Sequence, residues 1–107
     1  MSKAIEFKYQ DVDYCLEYNR EAVKLMEKSG FKLQEFLDKP MTMIDLAFQG
    51  LFIKNHRGTK PATITEIYDS LGNKEKLVPT LFEMIQETYD DLYSDSKDEK
   101  NIEWKIV

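Results

Sequence analysis

The first eighteen residues alternate between apolar and polar side chains on either side of a short polar break at Gln10-Asp11. The apolar residues occupy every second position in both halves: Ile5, Phe7 and Tyr9, then Val12, Tyr14, Leu16 and Tyr18. A period of two that is interrupted by two polar residues predicts an antiparallel β-hairpin with one apolar face. Because an isolated hairpin is only marginally stable in water, this face is expected to pack against the rest of the chain.

From Asn19 onward, apolar residues recur every three or four positions, and this spacing predicts helices. Asn19 is a suitable N-cap for a first helix over residues 20–29, with Gly30 as its stop. A second helix is predicted over Met41–Arg57. The glycine inside it, Gly50, would let a neighbouring element approach closely.

Two more helices are predicted in the second half of the chain. The string Thr63–Glu66 has the form of a capping box and predicts a helix of about three turns, ended by Gly72. Asn73 can cap a longer helix over residues 74–93. Pro79 lies too deep for the first turn of that helix, so we expect a kink or a later start.

The end of the chain returns to alternation, because Ile102, Trp104 and Ile106 are separated by Glu103 and Lys105. This pattern predicts a short final strand, which is expected to dock on the free edge of the hairpin. The fold class predicted is therefore α+β: a small antiparallel sheet, made of the N-terminal hairpin plus the C-terminal strand, packed against about four helices.

Length and composition favour one folded domain over residues 1–107, since the chain has 107 residues, 42% of them hydrophobic and 33% charged. No apolar run approaches the roughly 20 residues of a membrane helix, and the N-terminus lacks the apolar core of a signal peptide. The single cysteine, Cys15, excludes an internal disulfide. Together these observations predict a cytoplasmic protein with no membrane association.

The net charge of -5 is unevenly distributed along the chain. Residues 1–60 contain 10 Lys and Arg against 9 Asp and Glu, whereas residues 61–107 contain 5 against 11. An acidic half repels the phosphate backbone, which argues against a nucleic-acid partner. It also favours solubility.

The sequence contains no set of residues typical of catalysis, metal binding or cofactor binding. His56 is the only histidine, and we interpret it as a structural group in the last turn of the second helix. Cys15 has no base nearby in the sequence, so it is interpreted as a small, half-buried thiol. The glycines are isolated, and no phosphate-binding loop or nucleophile elbow is present. We therefore expect a protein that is not an enzyme and needs no cofactor.

Binding to other proteins is the remaining class, and apolar residues outside the predicted core faces are its candidates. The second helix is apolar over a wider arc than one packing face requires. Exposed methionine and tyrosine side chains also suit interfaces. The predicted partner-binding residues are Met41, Met43, Leu46, Phe52, Ile53, Tyr89 and Tyr93. The competing interpretation is that the helix is buried on two sides and these residues belong to the core.

Local strings along nearly the whole chain resemble the tail assembly chaperones of siphophages that infect Gram-positive bacteria. The most particular of them are Lys39–Met43, which lies within the matching string Asp38–Ile44, and Asn55–Arg57. The others are Ile5–Phe7, Leu16–Arg20, Val23–Glu27, Lys28–Phe31, Phe48–Phe52, Ile67–Asp69 and Ile102–Trp104.

The resemblance implies a non-catalytic protein that acts in the host cytoplasm while the tail is built and is absent from the mature virion. Its implied partners are the tape-measure protein, whose helices it keeps soluble, and the tail-tube protein. Homo-oligomers are also compatible with the sequence. Two alternatives stay open: a structural virion component, such as a head–tail connector or tail-terminator subunit, and a small regulatory or enzymatic domain.

Overall fold

A computed structural model describes residues 3–94 and 102–107 of the chain. Two strands and four α-helices follow one another, which confirms the predicted α+β class. The strands are β1 (Ile5–Tyr9) and β2 (Val12–Leu16). The helices are α1 (Arg20–Lys28), α2 (Pro40–Gly50), α3 (Pro61–Ser70) and α4 (Lys74–Tyr93), with a short 3₁₀ turn at Leu33–Glu35 between α1 and α2.

The hairpin has the predicted two-residue connection at Gln10 and Asp11, both with positive φ angles of 48° and 64°. Such a turn matches the twist of the strands that it joins. The register pairs Phe7 with Tyr14, whose rings stack at 5.3 Å, and Ile5 with Leu16. The apolar face therefore forms as predicted and packs on the helices.

Helix α1 begins and ends where the sequence predicts. The Asn19 side chain accepts a hydrogen bond of 2.8 Å from the amide of Ala22. At the other end Gly30 has a φ of 109°. The amides of Gly30 and Phe31 return to the carbonyls of Glu27 and Met26, which is a Schellman motif.

Helix α2 ends at Gly50, so the prediction that it continues to Arg57 is wrong. After Gly50 the amides of Leu51 and Phe52 bond to carbonyls three residues earlier, and residues 51–55 form turns. This tightening frees the carbonyl of Ala47, which accepts a 2.6 Å hydrogen bond from the buried Tyr18 hydroxyl. A hydroxyl from another element thus satisfies one of the orphan carbonyls at the helix end.

The predicted closeness at Gly50 is confirmed. A Cβ atom added to Gly50 would overlap the Sδ of Met26 and lie 2.6 Å from its Cγ. The absence of a side chain at Gly50 lets α1 and α2 pack directly against each other, with Met26 filling the contact.

Helix α3 differs from the prediction at its start, whereas α4 has the predicted bounds. Helix α3 begins at Pro61, in the first turn, where a missing amide costs nothing, and the predicted capping box does not form. Asn73 precedes α4 in the left-handed conformation without a side-chain cap. Helix α4 starts at Lys74 and runs through Pro79, so the later start is wrong.

The core lies where the hairpin face meets α1, α2 and α4. Its aromatic residues pack edge to face, with Phe36 against Phe82 at 5.3 Å and Phe48 against Phe52 at 5.4 Å. Leu16, at the end of β2, is completely buried. Within the described residues, no helix is long and apolar enough to cross a membrane.

The predicted C-terminal strand is not formed, and this part of the predicted sheet is corrected. The described sheet has two strands, and residues 102–107 adopt no regular structure. The Trp104 side chain remains 77% exposed. Of the two edges of the hairpin, that of β2 is already covered at Cys15, whose backbone groups bond to side chains of a later turn.

Candidate partner-binding surface

An apolar groove of about 420 Å³ lies between α2 and α3. Phe48 forms its buried floor and contacts the Tyr68 ring edge to face at 5.1 Å. Met41, in the first turn of α2, stands at its mouth with 90% of its side chain exposed. The other lining residues are Pro40, Ile44, Asp45, Ile64, Thr65 and Asp69. The groove therefore combines a buried aromatic floor with an exposed, flexible methionine at its mouth, which makes it a candidate binding surface.

Two carboxylates give this groove an acidic rim. Asp45 is exposed on α2, and its side chain accepts a 3.0 Å hydrogen bond from Gln49. Asp69 is exposed near the end of α3. An apolar floor with negative charge on both sides suits a helix that has an apolar stripe flanked by basic residues.

The seven predicted partner-binding residues do not form one surface. Met43 and Phe52 are buried in the core, so their assignment as binding residues is corrected; the inward face of α2 buries them. Leu46 and Ile53 are half-buried near Met26, on a different side of α2 from Met41. Of the seven residues, Met41 alone lies at the α2–α3 groove.

Tyr89 and Tyr93 belong to a second groove, of about 670 Å³, where α4 meets the end of α1. The Tyr89 hydroxyl donates a 2.6 Å hydrogen bond to the Glu27 carboxylate. Partial burial and this carboxylate raise the pKa of Tyr89 strongly. Tyr89 therefore stays neutral and connects α4 to α1. Tyr93 is 85% exposed at the end of α4.

The string Lys54–Arg57, which we name the Lys54–Arg57 clamp, joins the hairpin to the helical body. The Cys15 amide donates a 3.0 Å hydrogen bond to Nε2 of His56, and the Cys15 carbonyl accepts one of 3.0 Å from Asn55. The side chains of Asn55 and His56 thus satisfy both backbone groups of Cys15. They take the place that the backbone of a neighbouring strand would have.

Ion pairs flank these two hydrogen bonds. Lys54 lies 3.2 Å from the Glu17 carboxylate, and Arg57 lies 2.8 Å from that of Glu21. The clamp therefore contacts the chain on both sides of Asn19, where the hairpin passes into α1. The interpretation of His56 as a helix-end residue is wrong, because α2 ends before it. His56 instead accepts the hydrogen bond from the Cys15 amide and so caps the edge of β2.

The electrostatics around Cys15 oppose nucleophilic chemistry. Partial burial, followed by the carboxylates of Glu17 and Glu6, raises the pKa of the Cys15 thiol. Hydrogen bonds from Asn55 and then Lys54 lower the pKa of Glu17, so its negative charge persists beside the sulfur. A thiol in such surroundings is poor in thiolate, and its half-buried position agrees with the prediction.

Replacing His56 by alanine is expected to destabilise the fold by roughly 1–2 kcal/mol, because the Cys15 amide loses its acceptor in a partly buried position. Urea unfolding would measure the loss, and hydrogen exchange at the Cys15 amide would accelerate. Lys54→Ala is the matched control, since an exposed ion pair contributes less than about 1 kcal/mol. An unchanged exchange rate at Cys15 in His56→Ala would contradict this role.

Among residues 3–94 and 102–107, no group of three or more His, Cys, Asp or Glu side chains is arranged to hold a metal ion. The acidic residues after Ser94 include Asp95, Asp98 and Glu99, which lie outside the described residues.

Sequence reasoning identified one groove residue and missed the groove itself. Phe48 and Ile64 belong to the core, and Ile44 and Tyr68 pack against it. The spacing of Met41, Ile44 and Phe48 at i, i+3 and i+7 marks one helix face. That spacing could have singled out the α2 wall, but the opposing wall depends on how α3 packs.

These features define a small α+β domain with an accessible apolar groove between two of its helices. The chain belongs to a family described as "Domain of unknown function (DUF5055)", whose model matches residues 1–107. No curated protein and no solved structure matches the chain.

Proposed function

We propose that this protein is a tail assembly chaperone of a siphophage that infects Gram-positive bacteria. In this role it binds amphipathic helices of the tape-measure protein in the host cytoplasm and aids assembly of the tail tube. It does so without catalysis and does not remain in the mature virion. The observation that supports the proposal best is the open apolar groove between α2 and α3.

The groove has the properties that helix binding requires. Its floor is a buried aromatic ring, Phe48, held by an edge-to-face contact with Tyr68. Aromatic floors bury apolar side chains with little loss of conformational entropy in the receptor. Met41 at the mouth has a flexible, polarisable side chain, which adapts to different ligand side chains. A chaperone for a long helical protein needs such tolerance, because it meets many different helix faces.

The charge of the chain fits the same role. Asp45 and Asp69 line the groove, and the second half of the sequence is strongly acidic. Negative charge around an apolar site attracts basic helices and keeps a loaded complex soluble. The proposal therefore predicts that preferred tape-measure segments carry lysine or arginine beside their apolar stripe.

Met41→Asp is expected to weaken capture of tape-measure fragments at least about tenfold, a loss of roughly 1.4 kcal/mol of binding free energy. A charge at the mouth of the groove must be desolvated when an apolar helix face enters. Calorimetry or a pull-down with purified tape-measure fragments would measure the affinity. The fold is expected to be unaffected, because Met41 is exposed.

The chain offers a matched control four residues away. Leu37 is 83% exposed and does not line the groove. Leu37→Asp therefore makes the same kind of change outside the site and is expected to leave capture unchanged. Equal losses in both variants would remove the groove from the proposal. Failure of the unmodified protein to bind any tape-measure fragment, or its presence in purified particles, would overturn the function.

A further inference from the structure

The C-terminal segment Ile102–Val107 exposes an apolar row to solvent. Ile102, Trp104 and Ile106 are 87%, 77% and 88% exposed, with Glu103 and Lys105 between them. In an extended chain, alternate residues project to the same side, so the three large apolar side chains would form one face. Such a face is costly to leave in water when a complementary surface exists.

The hairpin carries a free edge of matching length. The Cys15 amide bonds to His56, so Cys15 and its partner Glu6 do not exchange hydrogen bonds across the hairpin. Hydrogen-bonded and non-hydrogen-bonded pairs alternate along an antiparallel hairpin, so Lys8, like Glu6, is not hydrogen-bonded to β2. The backbone groups of Glu6 and Lys8 therefore point away from β2. Within the described residues these groups have no hydrogen-bond partner. The clamp covers the β2 edge at Cys15 and leaves the β1 edge open.

In one antiparallel register, each residue of β1 lies opposite a residue of the C-terminal segment that has the opposite charge or is also apolar. It places Lys105 opposite Glu6 and Glu103 opposite Lys8, so that both cross-strand pairs have opposite charges. It also places Trp104 opposite Phe7, between an Ile106–Ile5 pair and an Ile102–Tyr9 pair. The apolar row would then extend the face by which the hairpin packs on the core. A parallel arrangement that paired Glu6 with Glu103 would pair Lys8 with Lys105, and like charges would oppose each other.

We propose that residues 102–107 of one copy add to the β1 edge of a second copy, as the third strand of its sheet. The segment is unpaired and exposed in the single chain, so its partner is another molecule with the same edge. Reciprocal exchange by two copies closes a symmetric dimer, which uses both segments and both edges. This inference does not depend on the proposed function.

The oligomeric state of the full chain tests the proposal. Sedimentation equilibrium is expected to show a concentration-dependent dimer. Trp104→Asp is expected to weaken dimerisation at least tenfold while circular dichroism shows unchanged helix content. Glu103→Lys with Lys105→Glu should also dissociate the dimer. Adding Glu6→Lys and Lys8→Glu to this double variant restores opposite charges in the same register and should restore association.

Disulfide trapping identifies the occupant of the edge. Ile5 and Ile106 form a non-hydrogen-bonded pair in the proposed register, at a separation that a disulfide spans. In a Cys15→Ser background, Ile5→Cys chains mixed with Ile106→Cys chains should give a covalent mixed dimer. Ile5→Cys mixed with Lys105→Cys should not, because residue 105 faces the other side of the strand.

Three results would overturn the inference. The first is a chain that stays monomeric at all concentrations. The second is a dimer that survives Trp104→Asp with unchanged affinity. The third is a chain carrying both Ile5→Cys and Ile106→Cys that forms only an intrachain disulfide, because the segment would then dock on its own hairpin.

Discussion

Replacing Gly50 by alanine is expected to destabilise the protein by about 1–3 kcal/mol, the usual cost of overfilling a packed core. The new methyl group would overlap the Met26 side chain, which is 2% exposed and has little room to move. Gly50 is the last residue of α2, so the gain in helix propensity is too small to offset the overlap. Urea unfolding followed by circular dichroism would measure the loss.

Two controls isolate the contact with Met26. Gly72→Ala makes the same change where an added Cβ meets no atom within 4 Å, and it is expected to be neutral or stabilising. Met26→Ala removes the obstacle, so Gly50→Ala should cost less in that background than in the natural one. If Gly50→Ala and Gly72→Ala proved equally stable, α1 and α2 would not be in contact at Gly50.

Replacing Tyr18 by phenylalanine is expected to cost about 1–3 kcal/mol of stability, because the buried carbonyl of Ala47 loses its hydrogen bond. The Tyr18 hydroxyl donates to the Ala47 carbonyl. The amide of Leu51 does not bond to this carbonyl, because it bonds to the carbonyl of Phe48 instead. Chemical denaturation at neutral pH would measure this loss. Tyr93→Phe is the control, since it removes a hydroxyl from an exposed side chain and should change stability little.

The same residue predicts a pH dependence. Burial in the core raises the pKa of Tyr18 well above its usual value of 10.0. The fold therefore favours the neutral phenol, and its contribution is fully present below pH 10. Above that value the unfolded chain loses the Tyr18 proton while the folded chain retains it, and stability falls. The Tyr18→Phe variant has no phenol at this position, so its stability does not fall for this reason.

The difference in unfolding free energy between the natural protein and Tyr18→Phe should thus shrink as the pH rises from 9 to 11. Comparing the two proteins cancels most of the effect of other tyrosines, such as Tyr89, whose pKa is also raised. A constant difference across this range would show that Tyr18 is ionised as readily in the fold as in the unfolded chain.

Both experiments concern the end of α2, which positions the Lys54–Arg57 clamp. Because α2 stops at Gly50, residues 51–55 turn and deliver Asn55 and His56 to the edge of β2. Each side chain of Asn55–Arg57 thereby forms a defined contact with the hairpin, the residues that follow it or α1.

Features that depend on neighbouring residues were predictable from the sequence. The period of two and the two-residue break determined the hairpin and its register. Asn19 and Gly30 determined the ends of α1, because capping involves only residues within one turn. Gly50 was recognised as a point of close approach. For the hairpin turn and the ends of α1, a short stretch of sequence contains the atoms that decide the outcome, whereas the contact at Gly50 also needs Met26 from another helix.

Features that depend on distant residues were decided by the tertiary structure. The end of α2 depends on Tyr18 and Met26, which lie more than twenty residues earlier in the chain. The burial of Met43 and Phe52, and the exposure of Met41, follow from how α2 is oriented against the core and α3. An apolar pattern identifies a helix face that is expected to be buried. Which surface covers that face depends on how the elements pack in the tertiary structure. The sequence alone thus determined the hairpin, the four helices and most of their ends. The groove and the clamp arise from contacts between elements, and the predicted final strand did not form because alternation alone does not supply a partner edge.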